Sequence, residues 1–203
     1  MSSPGGRRPP GMIDLHPAAD RLRGVLAALG DADLFRPTPC PKASVGDLVD
    51  HIGTFAVAFG QKAGGSAADT PGVGGPPPPA DAGRLGADWR DRIDADLAAA
   101  WDDPAAWEGM TTAGGIEMPS EVAGAVALDE LLVHGWDVAV ASGQAYDVSD
   151  EEVAAARGFV ETFADVPRDG TLFGPEVAVD PDAPPFHQLL GLTGRDPAWS
   201  PPS

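Results

Sequence analysis

The chain has 203 residues, enough for one domain with a sizeable core, and its 13 Lys+Arg against 31 Asp+Glu give a formal net charge of −18. That balance excludes a nucleic-acid partner, whose phosphates need clustered cations, and it repels an anionic membrane surface. No apolar run approaches the roughly 20 residues that span a bilayer, no apolar stretch follows Arg7 and Arg8 as a secretory signal requires, and the single cysteine, Cys40, excludes an intrachain disulfide, so a soluble cytoplasmic protein is expected.

Residues 1–12 are rich in Pro and Gly and are expected to be a disordered tail, with a single domain over 13–203. Leu15, Ala18, Ala19, Leu22, Val25, Leu26 and Leu29 recur at helical spacing, opened by Asp14 as N-cap and closed by Gly30. Cys40 stands between Pro39 and Pro41 and reads as a small buried hydrophobe in a rigid turn rather than a reactive thiol. A second helical stripe runs through Val45, Leu48, Val49, Ile52, Phe55, Ala56 and Phe59, with Ser44 as cap and Gly60 as stop. Residues 64–79 hold four consecutive prolines among glycines, which forbids helix and predicts a long loop, either a lid or a tether.

Trp89, Ile93, Leu97, Ala100 and Trp101 form a third stripe, stopped at Asp103 and Pro104. From Trp107 to Pro119, β-formers mixed with glycine predict a short hairpin or extended loop. A fourth helix is predicted from about Glu121 to Ala141, capped by Ser120; Gly135 inside it costs about 1 kcal/mol against Ala and so points to close packing there. Val153, Ala156, Phe159, Val160 and Phe163 make a fifth helix with Ser149 as cap. The acids Asp147, Asp150, Glu151 and Glu152 are charge at its N-terminus rather than a calcium loop. Leu189 and Leu190, a Gly-rich turn and Trp199 end the chain. The fold class that follows is all-α: an antiparallel four-helix bundle with a short hairpin or extended loop and a small C-terminal extension.

Glu130 and His134 stand four apart, so on a helix a carboxylate and an imidazole point the same way one turn apart. Ala127, Leu131, Val138 and Ala141 share their face, and His51 borders the stripe of Leu48, Ile52 and Phe55 across the bundle core. Charge on an apolar face needs a partner, and a metal satisfies three such groups together. Two imidazoles and one carboxylate suit zinc, nickel or ferrous iron and leave positions open for water or substrate. The plainer reading is a buried Glu–His hydrogen bond with His51 at the surface. Asp137, three residues after His134, either orients that imidazole or acts as a base, or else is an outward, solvated carboxylate. His16 and His187 read as surface or partly packed histidines.

The run from Pro37 to Pro41, the run Val45-Gly-Asp-Leu-Val-Asp-His51, the run Asp129-Glu-Leu-Leu-Val-His-Gly-Trp-Asp137 and the closing Gly194-Arg-Asp-Pro-Ala-Trp199 together resemble the actinobacterial branch of the DinB-like superfamily. That branch is related to the N-terminal domain of mycothiol-dependent maleylpyruvate isomerase. The resemblance spans nearly everything from Ile13 to Trp199. It implies a four-helix bundle, a metal held by His51, Glu130 and His134, and relatives that act as thiol-dependent isomerases or thiol S-transferases. Where those relatives carry an acidic residue and a tryptophan, this chain has Lys42 and Ala43, which removes an aromatic wall near the metal-bearing helix. The isomerase also carries a second, C-terminal domain for which this chain has no length, so maleylpyruvate isomerisation itself is not expected.

The leading expectation is a metal-dependent enzyme, zinc first, with nickel or iron as alternatives, using a small thiol such as mycothiol for S-transfer to, or isomerisation of, a small electrophile. The thiol comes from the resemblance; the residues alone give an open metal site. A non-catalytic metal-binding or stress-response protein, and a ferrous oxygenase with a facial triad of two imidazoles and a carboxylate, are the other readings. A homodimer is compatible with all of them.

Overall fold

The structure, a computed structural model, describes residues 11–41, 43–63, 97–113, 116–168 and 172–202. The N-terminal tail up to residue 10, the loop over 64–79, Trp89 and Ile93 of the third stripe, and Lys42 lie outside the described residues.

Five α-helices and one two-stranded sheet make up the described chain: α1 (His16–Ala27), α2 (Val45–Ala63), β1 (Met110–Ala113), β2 (Ile116–Pro119), α3 (Ser120–Ala141), α4 (Asp150–Glu161) and α5 (Pro185–Leu192). Short 3-10 turns lie at Asp31–Phe35, Ala99–Asp102 and Pro104–Trp107. The molecule is therefore mostly helical with a small sheet, and all-α is an approximation.

α3 is the central element and packs against α1, α2 and α4, while α5 packs on α4. Its sequence explains the position: Ala127, Leu128, Leu131, Leu132, Val138 and Ala139 are buried all around the helix, and a helix apolar on every side belongs inside. α1 and α2 cover it with single stripes, Ala18, Ala19, Leu22, Val25 and Leu26 on one, Leu48, Ile52, Phe55 and Phe59 on the other.

The helix ends differ in detail from what the sequence predicts. Leu15, not Asp14, is the N-cap of α1, although Asp14 Oδ1 still accepts the amide of His16 at 3.0 Å, and the helix ends at Ala27 before Gly30. Ser44 starts α2 as expected through a reciprocal pair: Asp47 Oδ2 accepts the Ser44 amide at 2.8 Å, and Ser44 Oγ accepts the Asp47 amide at 3.2 Å. Gly60 does not stop α2, which runs on to Ala63. An internal glycine costs only about 1 kcal/mol, and burial of Phe55, Ala58 and Phe59 just before it offsets that.

Trp101 lies on a 3-10 turn rather than an α-helix, and Trp107 Nε1 donates to its carbonyl at 2.8 Å, tying two successive turns together. The hairpin is present, antiparallel, with Met110 opposite Pro119 and Ala113 opposite Ile116. Ser120 is the first residue of α3 and Pro119 its N-cap. Ser149 caps α4 in a full capping box with Glu152. α5 is a helix that the sequence reading leaves as a tail.

Gly135 has a clear physical reason. Tyr146 Oη donates to the Leu131 carbonyl at 2.7 Å, and a Cβ at position 135 would collide with the Tyr146 hydroxyl and ring. The predicted close packing is thus against a side chain from the loop after α3. Among the described residues no helix is long and apolar enough to cross a membrane.

Candidate metal centre

α2 and α3 bring His51 and Glu130 together although 79 residues separate them: His51 Nε2 is 2.9 Å from Glu130 Oε2. One turn along α3, His134 Nε2 is 3.3 Å from the same oxygen. The three donor atoms lie within 4.8 Å of one another. A tetrahedral ion with bonds of about 2.1 Å sets its ligand atoms about 3.4 Å apart, so the cluster has metal-like spacing and the donor set is two imidazole nitrogens and a carboxylate oxygen. Of the plainer alternative, the carboxylate–imidazole contact is present, but half-buried His51 joins it rather than standing apart.

Behind the cluster is a second layer, of which the sequence offers Asp137 as a candidate and the structure adds Arg195. Asp137 is fully buried, and its Oδ2 stands 3.0 Å from His134 Nδ1. The outward, solvated placement of Asp137 is thereby corrected: the residue falls on a covered face of α3, between Arg195 and His134. With Nδ1–H donating to Asp137, Nε2 would be the nitrogen that His134 offers to a metal on the side of Glu130. Arg195 Nη2 donates to Asp137 Oδ2 at 3.0 Å, and its Nη1 donates to the Thr193 carbonyl at 2.9 Å. In the sequence Arg195 belongs to the closing Gly194-to-Trp199 motif, with nothing local to assign it a role. Its signal is that of a cation in a strongly acidic chain directly after an apolar stretch, which asks for a buried carboxylate partner.

Electrostatics follow from the geometry. Burial opposes ionisation of Glu130, but His134, then the hydrogen bond and charge of His51, then Arg195 outweigh it and hold the carboxyl down at about 2. Burial likewise opposes protonation of His51, and the bond to Glu130 more than compensates, so its pKa rises. The neighbouring Asp129 is pushed up to about 8, by burial first and by the charge of Glu130 second. Burial pushes the Cys40 thiol up to about 11, with Arg195 opposing, which supports the unreactive reading of this thiol, although the residue is only half-buried and lines the cavity beside the cluster.

The cluster opens on a cavity of about 420 Å³, within the usual range of small-molecule sites. Four parts of the chain wall it: Cys40 and Pro41 from the loop before α2, His51 of α2, Asp129, Glu130, Val133 and His134 of α3, and a C-terminal rim at 172–175 and 193–195. The rim is tight because Gly194 has φ +84° and its Cα faces the Gly174 backbone; a Cβ at 194 would come within 2.9 Å of Gly174 Cα. Cys40, His134 and Asp137 also lie close enough together to hold an ion, but they share His134 with the first cluster. His16 and His187 are elsewhere: His16 Nε2 is 2.9 Å from Asp102 Oδ2, and His187 is exposed.

Two uncharacterized proteins of Mycobacterium tuberculosis, from strains CDC 1551 / Oshkosh and ATCC 25618 / H37Rv, are each 30% identical to this chain over 185 residues, covering 88% of it and 93% of the relative. No solved structure was found to match. The family model described as the mycothiol maleylpyruvate isomerase N-terminal domain matches residues 15–139, a span that holds His51, Glu130, His134 and Asp137 and stops short of Arg195 and the C-terminal rim. The chain belongs to the mycothiol maleylpyruvate isomerase N-terminal domain family.

Proposed function

We propose that this protein is a metal-dependent enzyme in which His51, Glu130 and His134 hold one divalent ion, zinc by preference with nickel or iron(II) as alternatives, and which uses a small thiol, mycothiol, for S-transfer to or isomerisation of a small electrophile. The observation that carries the reading is the convergence of three ligand atoms within 4.8 Å of one another at the wall of a cavity of about 420 Å³. The family, described by its link to mycothiol, supplies the thiol.

When bound, a divalent ion would stabilise the thiolate of the cosubstrate near neutral pH. The protein's part is to prepare the ligands. Glu130 is held ionised by its histidine neighbours. Asp137, anchored by Arg195, fixes the ring of His134. The rim at Gly174 and Gly194 and the loop at Pro41 confine the reactants beside the cluster.

The test is conjugation of mycothiol, and of simpler thiols, to a panel of electrophiles by metal-replete protein. Metal-dependent product supports the reading. Protein that retains one ion per chain while the whole panel stays silent would instead be a non-catalytic metal-binding protein.

A further inference from the structure

Asp129 stands next to Glu130 on α3 and lines the same cavity, with only 7% of its surface exposed. Among the described residues its Oδ1 is buried and has no hydrogen-bond partner. Buried polar atoms are paired in the great majority of folded proteins, because an orphan forfeits its hydration without replacement. Arg195, whose charge acts on Asp129, donates instead to Asp137 and the Thr193 carbonyl. Val133, one turn along, lines the cavity beside Asp129, so α3 presents two parallel strips to the same space. One strip is Glu130 and His134; the other is Val133 and Asp129, whose unmet Oδ1 lies just beneath the cavity wall.

We propose that Asp129 is the recognition residue for the polar arm of the thiol cosubstrate, pairing with an uncharged amide or hydroxyl group a few bonds from the sulfur. The proposal rests on the metal–thiol reading above. A ligand whose sulfur lay at His51, Glu130 and His134 would occupy the cavity that Asp129 and Val133 also line. An amide is the best match, since its N–H meets a carboxyl oxygen as acceptor and its carbonyl meets a carboxyl O–H as donor, so the pairing survives either protonation state. A carboxylate arm is disfavoured, with Glu130 and Asp129 side by side.

The test compares two thiols of the same shape: N-acetylcysteamine, which carries the amide, and 4-methyl-1-pentanethiol, which replaces it with hydrocarbon. Both are titrated into cobalt(II)-loaded protein, and binding is read from the sulfur-to-cobalt absorption. The quantity of interest is the ratio of the two affinities, in wild type and in Asp129→Leu, with Asp129→Ala as the second variant should leucine not be tolerated. We expect the ratio to fall by about tenfold or more in the variant, the usual worth of a hydrogen bond to a carboxylate, while cobalt stoichiometry is unchanged. The metal-free Asp129→Leu protein should melt no lower than wild type, because an orphaned polar group has been removed; a merely structural aspartate would give the opposite shift. An unchanged ratio with both thiols still binding overturns the role of Asp129 and leaves the metal–thiol reading standing. Failure of wild-type protein to bind either thiol overturns both.

Discussion

Arg195 reaches Asp137 across 58 residues of chain and closes on it at 3.0 Å, with both side chains buried. Asp137 in turn meets His134 at 3.0 Å, so the C-terminal segment is coupled to a ligand-type imidazole on the central helix. A segment beyond the family match thus completes the support of a residue inside it.

Replacing Asp137 by Asn keeps the shape but takes away the charge that faces both Arg195 and His134. Loss of such support to a metal-bound imidazole typically costs about 10- to 100-fold in metal affinity, measurable by competition with a chelator. Arg195 is then left buried without its counter-charge, which costs about 3 kcal/mol or more, measurable by denaturant unfolding. Asp137→Asn protein with wild-type affinity and stability would mean that the contacts between these side chains carry no energy.

The Arg21–Glu152 pair sets a pH dependence away from the site. Glu152 Oε2 accepts from Arg21 Nη2 at 2.8 Å and from the Ser149 amide at 2.9 Å. Burial pushes its pKa up, but these bonds prevail and hold it below the usual carboxylate value. A depressed folded-state pKa adds stability that is present above the unfolded value, about 4.3, and is lost as pH falls through the folded one. Glu152→Gln should therefore lower stability by about 2 kcal/mol at pH 7, and the gap to wild type should close under acid conditions. A gap that persists below the folded pKa would assign the effect to packing instead.

Gly135→Ala forces a methyl group into the Tyr146 hydroxyl and ring. Overpacking of this kind costs about 1 to 3 kcal/mol, read as a drop in thermal midpoint. Because the hydroxyl is the nearest atom, Tyr146→Phe should relieve part of the cost, so that the double variant is more stable than the sum of the single effects predicts. Strict additivity would show that the two residues do not compete for the same space.

His51, Glu130 and His134 were legible in the sequence because helical spacing and an apolar surround place them on inner faces. The stripes of α1, α2, α3 and α4 were legible for the same reason. Ends were less so: Gly60 carries helix on because the aromatic stripe before it is buried, an effect of tertiary packing that local propensity does not encode. Trp101 fits a helical period yet sits on a 3-10 turn, since its register is set by the bond from Trp107. Arg195, Asp129 and the Gly174–Gly194 contact were not legible as site residues, because each depends on which distant segments the fold brings to α3.

The most direct test is elemental analysis of protein purified without chelators, for wild type and for His134→Ala, with helical content followed by circular dichroism. The account predicts about one divalent ion per wild-type chain and near-complete loss of it in the variant, because two remaining ligands hold such an ion poorly, with helical content preserved. A wild-type protein that contains no stoichiometric metal and takes up none on addition of zinc, nickel or iron(II), or a His134→Ala variant that keeps a full complement, would contradict it.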